Sequence, residues 1–181
     1  DWSYASILGG VLYIANLTRP YIASTANRLT RFLKRPNATH CQALKRLVRY
    51  LYHTREVGVR YVSGRPNPFR LTAAADASFA DCPDTKRSTL GWCQWQGGDT
   101  PSGVLTWGSR IGRNVALSTT ESEVQAAIEL LRDVRWMRLF LAEMGYVQTG
   151  STRVYEDNNG CIGQADGTKG MKKARHYLVS L

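Results

Sequence analysis

Apolar residues recur at helical spacing through the first third of the chain. Ile7, Val11, Leu12, Ile14 and Ala15 form one stripe. Pro20 permits a new start at Tyr21, and Ala23, Ala26, Leu29 and Leu33 then follow at helical intervals. Arg35-Pro36-Asn37 breaks that run. Thr39 predicts the N-cap of a further helix carrying Ala43, Leu44, Leu47, Val48 and Leu51. Lys45, Arg46 and Arg49 lie on its polar side, which makes it an amphipathic basic helix.

The pattern then changes. Val57 to Val62 reads as a strand, and Gly64-Arg65-Pro66-Asn67-Pro68 as a loop. Strands are predicted over Phe69 to Phe79, Thr89 to Gln96 and Gly103 to Trp107. A long helix follows, with Val124, Ala127, Ile128, Leu131 and Val134 on one stripe and a stop near Gly145. A short strand, Arg153 to Tyr155, runs into Glu156-Asp157-Asn158-Asn159-Gly160, and order resumes at Arg175 to Val179. Strands, a helix and another strand predict an α/β mixed sheet flanked by helices, not an all-β sandwich. The boundaries expected are a helical basic segment over 1–56 and an α/β domain over 57–181.

Composition narrows the class. Apolar residues make up 43% and charged residues 21% of the 181 positions, which excludes long disorder as the dominant state. The longest apolar stretch, Ile7 to Leu17, is interrupted by Gly9, Gly10 and Asn16 and is too short to span a bilayer, so no membrane partner is expected. No charged-then-apolar leader stands at the start, and the chain reads as a piece of a longer polypeptide. Cys41, Cys82, Cys93 and Cys161 show no C-x-x-C spacing, which argues against a zinc finger and for a reducing, intracellular compartment. Charge is concentrated: residues 1–65 hold 11 Lys and Arg against 2 Asp and Glu, while residues 66–181 hold 13 against 12. A basic third of this kind points to a polyanion, nucleic acid first, with a solvated basic face as the alternative.

Three carboxylates carry the candidate chemistry. Asp76 sits in a strand-like run otherwise free of acids, where an unpaired carboxylate is costly. A metal ion would resolve that cost; so would an edge position facing water. Leu117-Ser118-Thr119-Thr120-Glu121-Ser122-Glu123 heads the long helix and contains two overlapping capping boxes. If Ser118 caps, Glu121 folds back, and Glu123, about 200° further round, is free to face the sheet. Asp157 lies just past a strand, where an acid alone means little. Converging on one spot, the three would hold hard divalent cations suited to phosphodiester cleavage.

These residues resemble a known family. Asp76-Ala77-Ser78, Lys86-Arg87-Ser88-Thr89-Leu90-Gly91, the Leu117 to Glu123 run and Glu156-Asp157-Asn158 are similar, in order and spacing, to the ribonuclease H domain of Ty1/copia-type retrotransposon polyproteins. Tyr4, Ser6, Gly9, Leu12-Tyr13, Thr18-Arg19-Pro20, His40 and Arg49-Tyr50-Leu51 resemble the end of the reverse transcriptase, its thumb and connection. The resemblance implies a ribonuclease H-like mixed sheet of five strands flanked by helices. It implies Asp76, Glu123 and Asp157 as catalytic metal ligands, with Glu123 preferred to Glu121 because Glu123-Val124-Gln125-Ala126 fits the family pattern. The activity implied is cleavage of the RNA strand of an RNA–DNA hybrid with two Mg2+ ions, Mn2+ serving as a substitute. Lys45, Arg46, Arg49, Lys86, Arg87 and Ser88 are the expected nucleic-acid contacts.

Further expectations follow from the resemblance. The family's later segment, with the last strand and a fourth active-site acid, is not found before Leu181. The last strand is therefore expected to be missing, leaving an exposed sheet edge for self-association, with Asp81 and Asp166 the first replacements to consider for the acid. The remainder of the reverse transcriptase polyprotein is the expected partner, and a cytoplasmic virus-like particle the expected setting if the parent element is active. The alternative from another class is a catalytically weakened nucleic-acid-binding or scaffolding remnant.

Overall fold

The computed structural model describes residues 3–62, 69–97 and 102–167. The chain divides into two compact units, with the division between Tyr61 and Val62. The expected loop at Gly64–Pro68 and the expected order at Arg175–Val179 lie outside the described residues.

The first unit is helical: α1 (Tyr4–Leu17), a 3-10 turn (Pro20–Ile22), α2 (Ala23–Thr30) and α3 (Ala38–His53). Tyr4, Leu8, Val11 and Ala15 bury one side of α1 against Ile22, Ala26, Leu29, Leu44 and Leu47. The Tyr4 hydroxyl donates to the Leu29 carbonyl at 2.9 Å and fixes α1 on the end of α2. Two expectations are corrected here. Ile14 is exposed, because the buried stripe runs through Leu8 and not Leu12-Ile14. The cap of α3 is Asn37, not Thr39: its side chain accepts from the His40 amide at 3.0 Å, and the His40 ring accepts from the Asn37 amide. Lys45 and Arg46, between the buried Leu44 and Leu47, and Arg49 beyond them are exposed on α3.

Val57 to Val62 is not a strand. Its β-rich composition finds no ladder: the Val57 amide closes a turn on Thr54, and the backbone of Val62 bonds the Ser102 hydroxyl.

The second unit holds a four-stranded sheet among the described residues, in the order β3-β2-β1-β4. Its strands are β1 (Leu71–Ser78), β2 (Thr89–Gln96), β3 (Ser102–Ile111) and β4 (Arg153–Tyr155). β1 pairs antiparallel with β2, and β2 with β3; β4 joins β1 in parallel, with Thr72 opposite Arg153 and Ala74 opposite Tyr155. β3 runs past the expected Trp107 to Ile111, because the whole of β2 offers it a ladder. Helix α4 (Thr119–Glu143) crosses the sheet, and α5 (Asn159–Ala165) follows β4 where none is expected. The fold is thus α/β with a mixed sheet.

Small residues set the layer spacing. Ala73 and Ala75 of β1 and Ala126 of α4 are buried together with Leu90, Leu130 and Val134, so the helix lies close on the sheet. Trp92 of β2 lies flat over Gly108 of β3, where any Cβ would collide with its ring. The Trp92 indole donates to Asp133 of α4 at 2.6 Å and ties helix to sheet. Leu71, Met137 and Leu141 extend the core toward the far end of α4.

Candidate metal centre

The parallel pairing of β1 with β4 brings the two aspartates together. The ladder ends with Ala74 opposite Tyr155, and Asp76 and Asp157 each lie two residues beyond that pair, at the same end of the sheet. The third acid arrives from the start of α4. Ser118 caps that helix, its hydroxyl accepting from the Glu121 amide at 3.1 Å. Glu121 folds back and its carboxylate accepts from the Leu117 amide at 2.8 Å, one residue earlier than a reciprocal capping box requires. That bond commits Glu121 to the backbone of the helix start, where it too is buried. Glu123, two positions on, is buried against the sheet.

Asp76, Glu123 and Asp157 each present a carboxylate oxygen, and these oxygens all lie within 4.8 Å of one another. Ligands sharing a hard cation at roughly 2.0–2.6 Å stand about this far apart. Asp76 and Asp157 are exposed while Glu123 is only 6% exposed, so the cluster has a dry floor and an open mouth. One Glu123 oxygen, Oε2, is buried with no hydrogen-bond partner. Its carboxyl is pushed up to about 7, first by burial and then by the negative charges of Glu156, Asp76 and Asp157, against a hydrogen bond from the Ala77 amide. A buried carboxylate oxygen without a donor, facing two further carboxylates, fits a divalent cation: charge and lone pairs are both in excess.

Glu156 is a residue to which the sequence assigns no role. Its carboxyl is raised, chiefly by burial, although the Asn158 amide donates to it at 2.9 Å. The Cys161 thiol, buried beside it, is pushed up to about 12 by burial and by Glu156 and Glu123, and stays protonated. The signal in the sequence is the Glu156-Asp157 pair itself; nothing in strand alternation shows both side chains acting on Glu123. The other two acids considered do not join the cluster. Asp81 accepts from the Thr89 hydroxyl at 2.6 Å, and Asp166 is exposed at the end of α5.

The Lys86-Arg87-Ser88 contacts divide. Lys86 and Arg87 are exposed, whereas Ser88 is fully buried and its hydroxyl accepts from the Ala80 amide at 3.1 Å. The expectation that Ser88 touches nucleic acid is corrected: its hydroxyl closes the loop that displays Lys86 and Arg87. None of Cys41, Cys82, Cys93 and Cys161 is in a disulfide. No helix among the described residues is long and apolar enough to cross a membrane.

An α/β unit with a three-carboxylate cluster, preceded in the chain by a basic helical unit, is the setting in which sequence relatives become informative. The chain is 35% identical over 134 residues to the secreted RxLR effector protein 161 of Plasmopara viticola, covering 74% of this chain and 90% of that protein. It is 32% identical over 176 residues to the retrovirus-related Pol polyprotein from transposon TNT 1-94 of Nicotiana tabacum, and 34% identical over 157 residues to that from transposon RE1 of Arabidopsis thaliana. Those matches take in 97% and 87% of this chain but only 13% and 10% of the polyproteins. No family profile and no solved structure matches it. Its homologues thus include retrotransposon Pol polyproteins, which match most of this chain through about a tenth of their own length.

Proposed function

We propose that the second unit is a ribonuclease H-type endonuclease that cuts the RNA strand of RNA–DNA hybrids with Mg2+ held by Asp76, Glu123 and Asp157. The observation that carries the reading is the convergence of three carboxylates from β1, α4 and the end of β4, with one Glu123 oxygen buried and unpartnered. Divalent cations bound by such a set activate water and stabilise charge on a phosphodiester as it breaks. The residues do the rest. Asp76 and Asp157, at the exposed mouth, face the substrate side, while Glu123 anchors the site from the dry floor. Lys86 and Arg87, on the loop between β1 and β2, hold phosphates beside the scissile one. Lys45, Arg46 and Arg49 of the first unit carry the hybrid by its backbone.

The test is cleavage of a labelled RNA–DNA hybrid in Mg2+ and in Mn2+, beside single-stranded RNA and duplex DNA, with Asp76→Asn as the control. The expected result is cutting of the hybrid's RNA strand alone, leaving 3′-hydroxyl ends, and its loss in Asp76→Asn. Hybrid that binds but stays intact in either metal replaces the enzyme with a nucleic-acid-binding remnant.

A further inference from the structure

The three acids belong to different elements, and in the absence of cation they repel one another. Something in the fold must hold them together. Between α4 and the end of β4 that role falls to a side-chain hydrogen bond. The Thr120 hydroxyl, in the first turn of α4, donates to the Asn158 side-chain oxygen at 3.3 Å. Thr120 lies three residues before Glu123 and so on nearly the same face of the helix. Asn158 directly follows Asp157. The bond therefore joins the two immediate neighbourhoods of Glu123 and Asp157 by a short lever.

Both ends of the lever are fixed. The same Asn158 oxygen caps α5, accepting from the Gly160 amide at 2.8 Å and the Cys161 amide at 3.0 Å. The Asn158 amide donates to Glu156 at 2.9 Å, so the backbone on either side of Asp157 is tethered. On α4 the local capping work is done by others. Ser118 holds the Glu121 amide, Glu121 holds the Leu117 amide, and the Ser122 hydroxyl donates to the Thr119 carbonyl at 2.7 Å. That leaves the Thr120 hydroxyl to reach across. Gly160 makes the approach possible: a Cβ there would stand 2.5 Å from the Thr120 hydroxyl oxygen and 2.9 Å from the Asn158 oxygen.

We propose that Thr120 and Asn158 are positioning residues that hold Glu123 and Asp157 in place for one shared divalent cation. The proposal rests on the reading of the three acids as a metal centre. Groups that orient metal ligands typically change metal affinity by about 10–100-fold when removed. The hydroxyl of Thr120 is the part of the device that can be deleted with least change of shape.

The experiment is a Mg2+ titration of the metal-stripped full chain at pH 8, read as the rise in unfolding temperature, for wild type, Thr120→Val, Thr120→Ser and Asn158→Ser. Serine at 158 keeps a good cap for α5 but is too short to reach Thr120. Thr120→Val is expected to need about tenfold more Mg2+ for half-saturation, while Thr120→Ser stays near wild type. Asn158→Ser should match Thr120→Val, and the double variant should be no weaker than the weaker single, since both break one bond. Asn158→Ser carries the test alone if Thr120→Val does not fold. Half-saturation unchanged in these variants overturns the positioning role while the metal centre stands. Losses that add, or a Thr120→Ser variant as weak as Thr120→Val, also overturn it. A wild type that shows no Mg2+ response removes the metal centre itself, and the positioning role with it.

Discussion

Asp76 and Asp157 lie two residues beyond the last pair of β1 with β4 and bring carboxylate oxygens within 4.8 Å of one another, although 81 positions separate them in the chain. Neither carboxylate stands there for stability: the fold sets like charges side by side, and Glu123 of α4 adds a third within 4.8 Å. Function and stability therefore oppose one another at this cluster. Glu123→Gln is expected to abolish the Mg2+-dependent rise in unfolding temperature. In chelator at pH 8 the same variant should be more stable than wild type, by about 1–3 kcal/mol if the burial and repulsion of its charge are fully relieved. Thermal unfolding with and without Mg2+ reads both effects. A variant destabilised in chelator would show that Glu123 is held by interactions stronger than the repulsion.

The sign of the pH dependence follows from Glu123. Its carboxyl is raised from 4.5 to about 7 in the folded chain, so between those values the folded state holds more proton than the unfolded state. Metal-free stability must then fall as pH rises from about 4.5 through about 7, and level off above. The loss from this group is at most about 3 kcal/mol, since each tenfold change in proton affinity is worth about 1.4 kcal/mol. Mg2+ competes with the proton for the same oxygens, so its stabilisation should be small at pH 5 and large at pH 8. Unfolding curves at four or five pH values, in chelator and in Mg2+, test this directly. Glu123→Gln should flatten the chelator series.

Much of this arrangement is legible in the sequence because the signals are local and agree. Glycine-bounded, β-rich runs mark β2 and β4, and the Ser118-x-x-Glu121 cap marks the head of α4. Helix geometry leaves Glu123 free only if Ser118 is the cap, and the preference for Glu123 over Glu121 comes from the family pattern. What is not legible depends on partners distant in the chain. Val57 to Val62 has strand composition but no ladder to join. Helix α5 is a seven-residue element nucleated by the Asn158 side chain, too short for periodicity to reveal. Ser88 looks like a surface hydroxyl beside two cations until the fold buries it under Ala80. Glu156 is half-buried beside Cys161 of α5, a neighbour hidden for the same reason as the helix.

The contact between Trp92 and Gly108 predicts a large stability effect far from the acids. The ring occupies the space where any Cβ at 108 would stand, and its indole is held on Asp133 of α4 at 2.6 Å. Gly108→Ala must displace the ring or bend the β2–β3 pairing, at a cost of about 1–3 kcal/mol typical of overpacking. Trp92→Phe keeps most of the apolar area but leaves Asp133 without that donor, and should cost about 1–3 kcal/mol. Combined with Asp133→Asn, its loss should be less than additive. Denaturant unfolding of the three variants and the pair reads these energies. A Gly108→Ala variant as stable as wild type would mean that Trp92 is not confined over β3.

The basic first unit should make itself known through salt. Lys45, Arg46 and Arg49 are exposed on one helix, in a third of the chain that carries 11 basic against 2 acidic residues. Each phosphate neutralised contributes about 0.7–0.9 to the slope of log K against log salt, because bound counterions are released. If all three touch phosphates, the triple variant to alanine should bind hybrid with a slope reduced by about 2–3. Its unfolding temperature should stay near that of wild type, since the buried Leu44 and Leu47 are untouched. Binding measured by fluorescence anisotropy at four salt concentrations decides the matter. Weaker binding with an unchanged slope would mean that the triple change disturbs the helix and not its phosphate contacts. An unchanged affinity and slope would leave these cations as a solvated face.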